Sequence, residues 1–272
     1  MKIILSRKGF DSSYGGQPSP ILPDGTLLSI PIPSKNEVYK YSHLNYHGKN
    51  YYEIIKELKP RSKIKMDYTC HLDPDLRSSV LKRSANWKPI FGQADAAQGH
   101  LKKEEVKIGD IFLFFGWFRQ TELINGKYAY KSGSPDLHMI YGYLQIGDIF
   151  SHDQPFPNYS LHHPHAGNKF QDVKSNCIYI AKDTLTLNTN YPGSGNFKFR
   201  NELKLTKDGM SRSKWELPDF FNDLTISYHK KESFKPDYFQ SAAKGQEFVI
   251  DANDDLIKWV MGLIITSNLA EG

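Results

Sequence analysis

The sequence predicts an α+β protein, a single domain built on a central, mainly antiparallel β-sheet or partly open barrel flanked by short helices. Three observations carry this expectation. Residues 106–118 (VKIGDIFLFFGWF) are a run of β-branched and aromatic residues, and the Asn125-Gly126 turn after them sends the chain back through residues 127–131. A second strand pattern, residues 138–146 (HMIYGYLQI), follows soon after. Helical patterns are short and few, and no repeat, low-complexity tract or linker divides the 272 residues, a length that suits one large domain.

The elements follow in order. Residues 2–5 form an apolar strand that stops on Ser6-Arg7-Lys8-Gly9-Phe10-Asp11, with a Gly15-Gly16 turn beyond. Residues 17–33 hold five prolines, which forbid a helix and predict an extended segment with a hairpin at Asp24-Gly25. Residues 51–58 predict a short helix ended by Pro60, and residues 64–71 a strand running into His71-Leu72-Asp73-Pro74-Asp75. Residues 75–84 and 95–103 predict two further helices. A Gly109-Asp110 turn precedes the strongest strand, and residues 148–150 extend the β character of 138–146. Residues 176–181 are a strand, and residues 182–211 mix loop and strand around the breaker Pro192-Gly193-Ser194-Gly195. A strand at 247–251 and a closing helix at 256–269 complete the chain. The block 106–150 resembles the barrel strands of PUA-like domains, including the ASCH and EVE types, which bind RNA or modified bases.

Composition narrows the function classes. Hydrophobic residues make up 39% and charged residues 24%, enough for a substantial core and against global disorder. The net charge of +5 permits a nucleotide or nucleic-acid partner without demanding one. Two cysteines, Cys70 and Cys177, sit in no C-x-x-C pattern, which predicts reduced thiols and a cytoplasmic protein. The apolar start is too short for a signal peptide, and no run approaches the ~20 apolar residues of a membrane span, so no membrane partner is expected. Neither a P-loop nor a dinucleotide fingerprint is present.

Several clusters have the composition of chemistry. Arg7 can fork onto a phosphate or carboxylate and Lys8 can add a point charge, while Gly15 and Gly16 allow close backbone approach. His71, Asp73 and Asp75 alternate, so an extended backbone turns them to one face, where they suit a divalent metal or acid/base work; helix capping by one aspartate is the competing use. His162, His163 and His165 cluster around Pro164. Gln93 and Gln98 carry amides suited to a base edge, and Trp117 with Arg119 pairs a stacking face with a phosphate ligand. Asp136-Leu137-His138 is a short-range carboxylate–imidazole pair. Arg212, Trp215, Tyr228, His229, Gln246 and Glu247 are lesser candidates.

Taken in order, SRKGFDSSYGGQPSPILPDG, HLDPDL, FGQADAAQGHL, GDIFLFFGWFR, PDLHMIYGYLQIGDI, HPH, NCIYIA, RSKWELP, SYH and KGQEFVID resemble the nucleotide modification associated domain 3 family over nearly the whole chain. The resemblance implies a bacterial protein of a system that modifies DNA bases, with Arg7, Asp11, His71, Asp75, Gln93, Arg119, His138 and His165 at motif positions, several of which are expected to converge on one pocket. The leading expectation is therefore an enzyme acting on a nucleotide, base or modified DNA, with DNA the foremost nucleic-acid partner. In it Arg7, Lys8 and Arg119 hold phosphate, Asp11 or Asp75 serves as acid/base or binds sugar, and His71 or His165 assists. Two alternatives stand beside it: a non-catalytic reader of modified bases using Gln93, Gln98 and Trp117, and a metal-dependent nuclease using His71, Asp73, Asp75 and His165. A divalent metal is the one cofactor these residues suggest.

Overall fold

The computed structural model describes residues 1–269, and side chains through 266. Its frame is a nine-stranded mixed sheet. The strands are β1 (Lys2–Arg7), β2 (Ser19–Ile21), β3 (Ile90–Gln93), β4 (Ile111–Ile124), β5 (Lys127–Tyr130), β6 (Leu137–Ser151), β7 (Cys177–Ala181), β8 (Ser194–Asn196) and β9 (Glu247–Asp251). The path through the sheet is β9-β1-β4-β6-β7-β3; β2 and β5 add to β4, and β8 adds to β6. Only the β1–β4 and β2–β4 pairings are parallel. The fold is thus α+β with a mostly antiparallel sheet. The sheet is not closed into a barrel, because the end strands β9 and β3 do not pair with each other.

β4 is central because its sequence leaves it no other place. Ile111 to Phe115 are all buried, so both faces are covered and the apolar run is continuous rather than alternating. Phe91, Phe112, Phe114 and Tyr179 interlock beside it as edge-on and stacked rings. β6 is one long strand with an irregularity between Ile146 and Asp148, where the sequence suggests two neighbouring segments.

Three helices flank the sheet. α1 (Tyr51–Leu58) is set by a capping box: Asn50 accepts from the Glu53 N–H, and the Glu53 carboxylate accepts from the Asn50 N–H. Its buried residues Tyr51, Ile54, Ile55 and Leu58 make one apolar stripe. They cover a second core with Phe10, Leu28, Ile30, Tyr41 and Cys70. α2 (Asp95–Lys103) follows β3 directly, and α3 (Asp254–Leu269) sends Leu256, Val260, Leu263 and Ile264 into the main core. No helix among the described residues is long and apolar enough to cross a membrane. Cys70 and Cys177 are buried, free thiols.

Two expectations fail locally. Residues 64–71 form no strand; only the isolated bridges Pro33↔Cys70 and Lys40↔Thr69 remain there. Residues 75–84 form no α-helix, only the single 3₁₀ turn Ser78–Val80. Asp75 is not a cap: its backbone exchanges both hydrogen bonds with Ile90, and its carboxylate is taken by Arg83.

Candidate functional site

The parallel neighbours β1 and β4 end their pairing at Arg7 and Phe115. There a cleft of about 980 Å³ opens. Its walls come from distant parts of the chain: Arg7 to Asp11 after β1, His71 and Asp73 from the 71–75 loop, Gln93 at the end of β3, and Ala94 to Ala97 opening α2. Trp117, His138, His165, Lys169, Phe170, Arg212 and Glu247 complete it. That volume lies at the upper end of the ~300–1,000 Å³ typical of small-molecule sites.

One side is an imidazole–carboxylate cluster. His71 Nε2 and His165 Nε2 stand 3.2 Å apart. His71 Nδ1 lies 2.9 Å from Glu37 Oε1, and His165 Nδ1 lies 2.7 Å from Asn176 Oδ1. Asn176 is oriented by its own amide, whose Nδ2 donates to the His165 carbonyl. Asp73 accepts from the Gly92 N–H at 2.7 Å. One donor atom from each of His71, Asp73 and His165 lies within 4.8 Å of the others, a set able to hold a metal ion. Phe170 stacks on the His165 ring at 4.1 Å between centroids. The ring also leaves no room at Gly92, where a Cβ would come within 2.3 Å of the imidazole.

The electrostatics of this side favour carboxylates and a neutral His165. Burial lowers the His165 pKa to about 3, against the opposing pull of Asp73. Burial works against the charge of Asp73, but His163, His165 and Lys8 outweigh it and hold the carboxyl at about 2. The His163 contact is a close approach of 3.3 Å rather than a formed hydrogen bond, since His163 Nε2 has no partner. Glu37 is likewise held at about 2: burial opposes its charge, and hydrogen bonds from His71, Lys169 and Ser34 overcome that.

The other side centres on Glu247, the first residue of β9. Its Oε1 receives Lys8 Nζ at 2.9 Å and Gln93 Nε2 at 2.7 Å. Its Oε2 is buried with no partner. Arg7 donates to the carbonyls of Ala242 and Ala243 and so ties down the loop before β9. Burial lowers its pKa despite Asp11 nearby. Arg212 lies over the Trp117 ring at 4.1 Å.

The remaining sequence-derived candidates have other surroundings. Asp11 lines the cleft, and its carboxylate accepts from the backbone of Ser13 and Tyr14, shaping the turn. Gly15 packs on Phe10, where a Cβ would lie 2.3 Å from the ring, and its φ of +90° suits only glycine. Gly16 continues the same turn at φ +64°. Asp75 lines a separate small cavity with Arg77. Gln98 accepts from the Tyr179 hydroxyl at 2.9 Å. Arg119 pairs with Asp136 at 2.7 Å, on the hairpin side of β4. His138 lines the cleft and accepts from Trp215 Nε1 at 3.0 Å; burial, aided by Arg7 and Arg212, lowers its pKa to about 3 and holds it neutral. Glu37, Lys169 and Asn176 are the residues sequence reasoning passes over. Glu37 and Lys169 lie in segments without a motif, and Asn176 opens NCIYIA without marking itself as a ligand-orienting amide, so only the fold brings them to His71 and His165.

The model of the nucleotide modification associated domain 3 family matches residues 2–251. The chain belongs to that family. The match spans every lining residue of the cleft, from Arg7 to Glu247, and ties the domain to nucleotide modification systems. No curated protein and no solved structure matches the chain.

Proposed function

We propose that this member of the nucleotide modification associated domain 3 family is an enzyme, and that the cleft is its active site for a nucleotide, a base or a nucleotide unit of DNA. One observation carries the reading: the cleft combines cations, aromatic faces and buried acid/base groups within about 980 Å³. Arg212 supplies positive charge for phosphate, and Trp117, Phe170 and Tyr228 supply flat faces for a base. Glu247 is the candidate acid/base: a buried acceptor left without a donor is costly, and a substrate N–H or O–H would satisfy Oε2. Lys8 and Gln93 position that carboxylate through its other oxygen.

The alternative of a non-catalytic reader is weaker on specific grounds. The amides a reader needs are engaged inside the protein, Gln93 with Glu247 and Gln98 with Tyr179. Titration calorimetry with nucleoside monophosphates and a DNA oligonucleotide tests the binding half. Arg212→Ala and Trp117→Ala are each expected to weaken binding about tenfold, the loss of one charge-assisted contact or one stacked face. Affinity unchanged in both would remove the cleft from substrate recognition.

A further inference from the structure

We infer that His71, Asp73 and His165 form a binding site for one first-row divalent transition-metal ion. The surroundings fix the tautomers of both rings. Asn176 Oδ1 is acceptor-only, because its Nδ2 is committed to the His165 carbonyl. His165 therefore carries its proton on Nδ1, and in the neutral ring the Nε2 lone pair is free. The Glu37 carboxylate imposes the same choice on His71 through Nδ1 at 2.9 Å. Two lone pairs thus face each other at 3.2 Å, an arrangement that repels unless a cation lies between them.

A proton or a metal ion can be that cation, and the surroundings favour the metal. Two nitrogens bound at ~2.0 Å to one tetrahedral ion stand about 3.3 Å apart, against the 3.2 Å found here. A carboxylate completes the set: a ligand atom of Asp73 lies within 4.8 Å of one ring nitrogen of each imidazole. A shared proton has no use for that third donor. Each ligand also has an outer partner that fixes its direction: Glu37 behind His71, Asn176 behind His165, and the Gly92 N–H on Asp73. That pattern orients ligating imidazoles and carboxylates in metal sites generally. Two imidazoles and one carboxylate suit iron(II), manganese(II), cobalt(II) or zinc, while magnesium and calcium prefer an all-oxygen set. Three protein ligands leave further coordination positions, and all three residues line the cleft. Any part the ion plays in turnover rests on the enzymatic reading of that cleft; the site itself does not.

The test uses the full chain, stripped with a chelator and titrated with cobalt(II) and with zinc. One ion per chain is expected, with visible ligand-field absorption from cobalt(II) and a raised melting temperature. Magnesium in excess should not compete. In wild type titrated with zinc, nitrogen NMR should show Nε2 of both His71 and His165 moving to the metal-bound position; this readout needs no variant to fold. Asp73→Asn and His165→Gln should lose stoichiometric binding, Glu37→Gln should weaken it ~10–100-fold, and His162→Gln, outside the cluster, should bind as wild type. Absence of stoichiometric binding by wild type, or unshifted Nε2 signals at saturation, would overturn the site in favour of a shared proton. Nucleotide binding measured on the same metal-free samples reports separately on the cleft, so a failed metal site and a failed nucleotide site give different results.

Discussion

Asp75→Ala is expected to damage stability rather than chemistry. Both carboxylate oxygens hold Arg83, at 2.7 and 2.5 Å, and the two side chains are 3% and 9% exposed. Removing the aspartate leaves a guanidinium buried without its counter-charge, a loss of about 3–5 kcal/mol for pairs of this kind. Arg83 keeps the Ser78 and Arg77 carbonyls and its place over the Trp87 ring, so the lower end, about 3 kcal/mol, is the expected cost. For a chain of this size that is a fall of roughly 6–12 °C in melting temperature. Urea denaturation of wild type, Asp75→Ala, Arg83→Met and the double variant measures it. The double variant should recover much of the loss, because the stranded charge is gone. Turnover per folded molecule should be unchanged below the transition. Stability within ~0.5 kcal/mol of wild type, the behaviour of a surface pair, would refute the reasoning. So would a folded variant without activity.

Three further perturbations follow from particular contacts. Gly92→Ala places a methyl against the His165 ring; it should cost ~1–3 kcal/mol as overpacking and lower turnover at least tenfold, and a fully active Gly92→Ala enzyme would show that the imidazole need not sit there. His138 has a folded pKa lowered from 6.5 to about 3, so it binds its proton more readily unfolded. Its stabilising contribution is whole above about pH 6.5 and is lost as pH falls toward 3, with a slope of up to ~1.4 kcal/mol per unit; urea midpoints should therefore fall more steeply from pH 7 to 5 in wild type than in His138→Gln, and equal slopes would contradict it. Asn50→Ala removes the α1 cap and should cost ~1 kcal/mol in urea without altering the cleft, whereas a change in nucleotide affinity would tie α1 to the site.

The sheet was legible where local chemistry and tertiary role agree. The apolar run into β4, the Asn125-Gly126 turn and the short strand β9 lie where residue type and spacing predict, and α1 occupies residues 51–58 because its stripe, its cap and Pro60 all agree. The 71–75 region was misleading for a physical reason. Aspartate before a polar stretch looks like a cap, yet Asp75 pairs with an arginine eight residues on and with β3 across the chain. The site was legible in part. Arg7, Asp11, His71, Gln93, His138 and His165 all line one cleft: Arg7 and Gln93 end strands, His138 stands near the start of β6, and the others lie in the segments between. Arg119 is engaged on the far part of β4 instead. Glu37 and Lys169 have no local signal, and Asn176 sits in a motif that does not reveal its role; their meaning comes from distance, Glu37 to His71 across 34 positions and Asn176 to His165 across 11.

The most direct test of the cleft as an active site is nucleoside mass spectrometry of DNA, RNA and the free nucleotide pool. Cells would express wild type, Glu247→Gln or His165→Gln, with soluble, folded protein verified for each. A nucleoside that appears or disappears with wild type and is unchanged by both variants would establish turnover and name the substrate class. Identical profiles for all three proteins and for cells without the chain, beside tight binding to modified DNA by the purified wild type, would contradict an enzyme and leave a reader of modified bases.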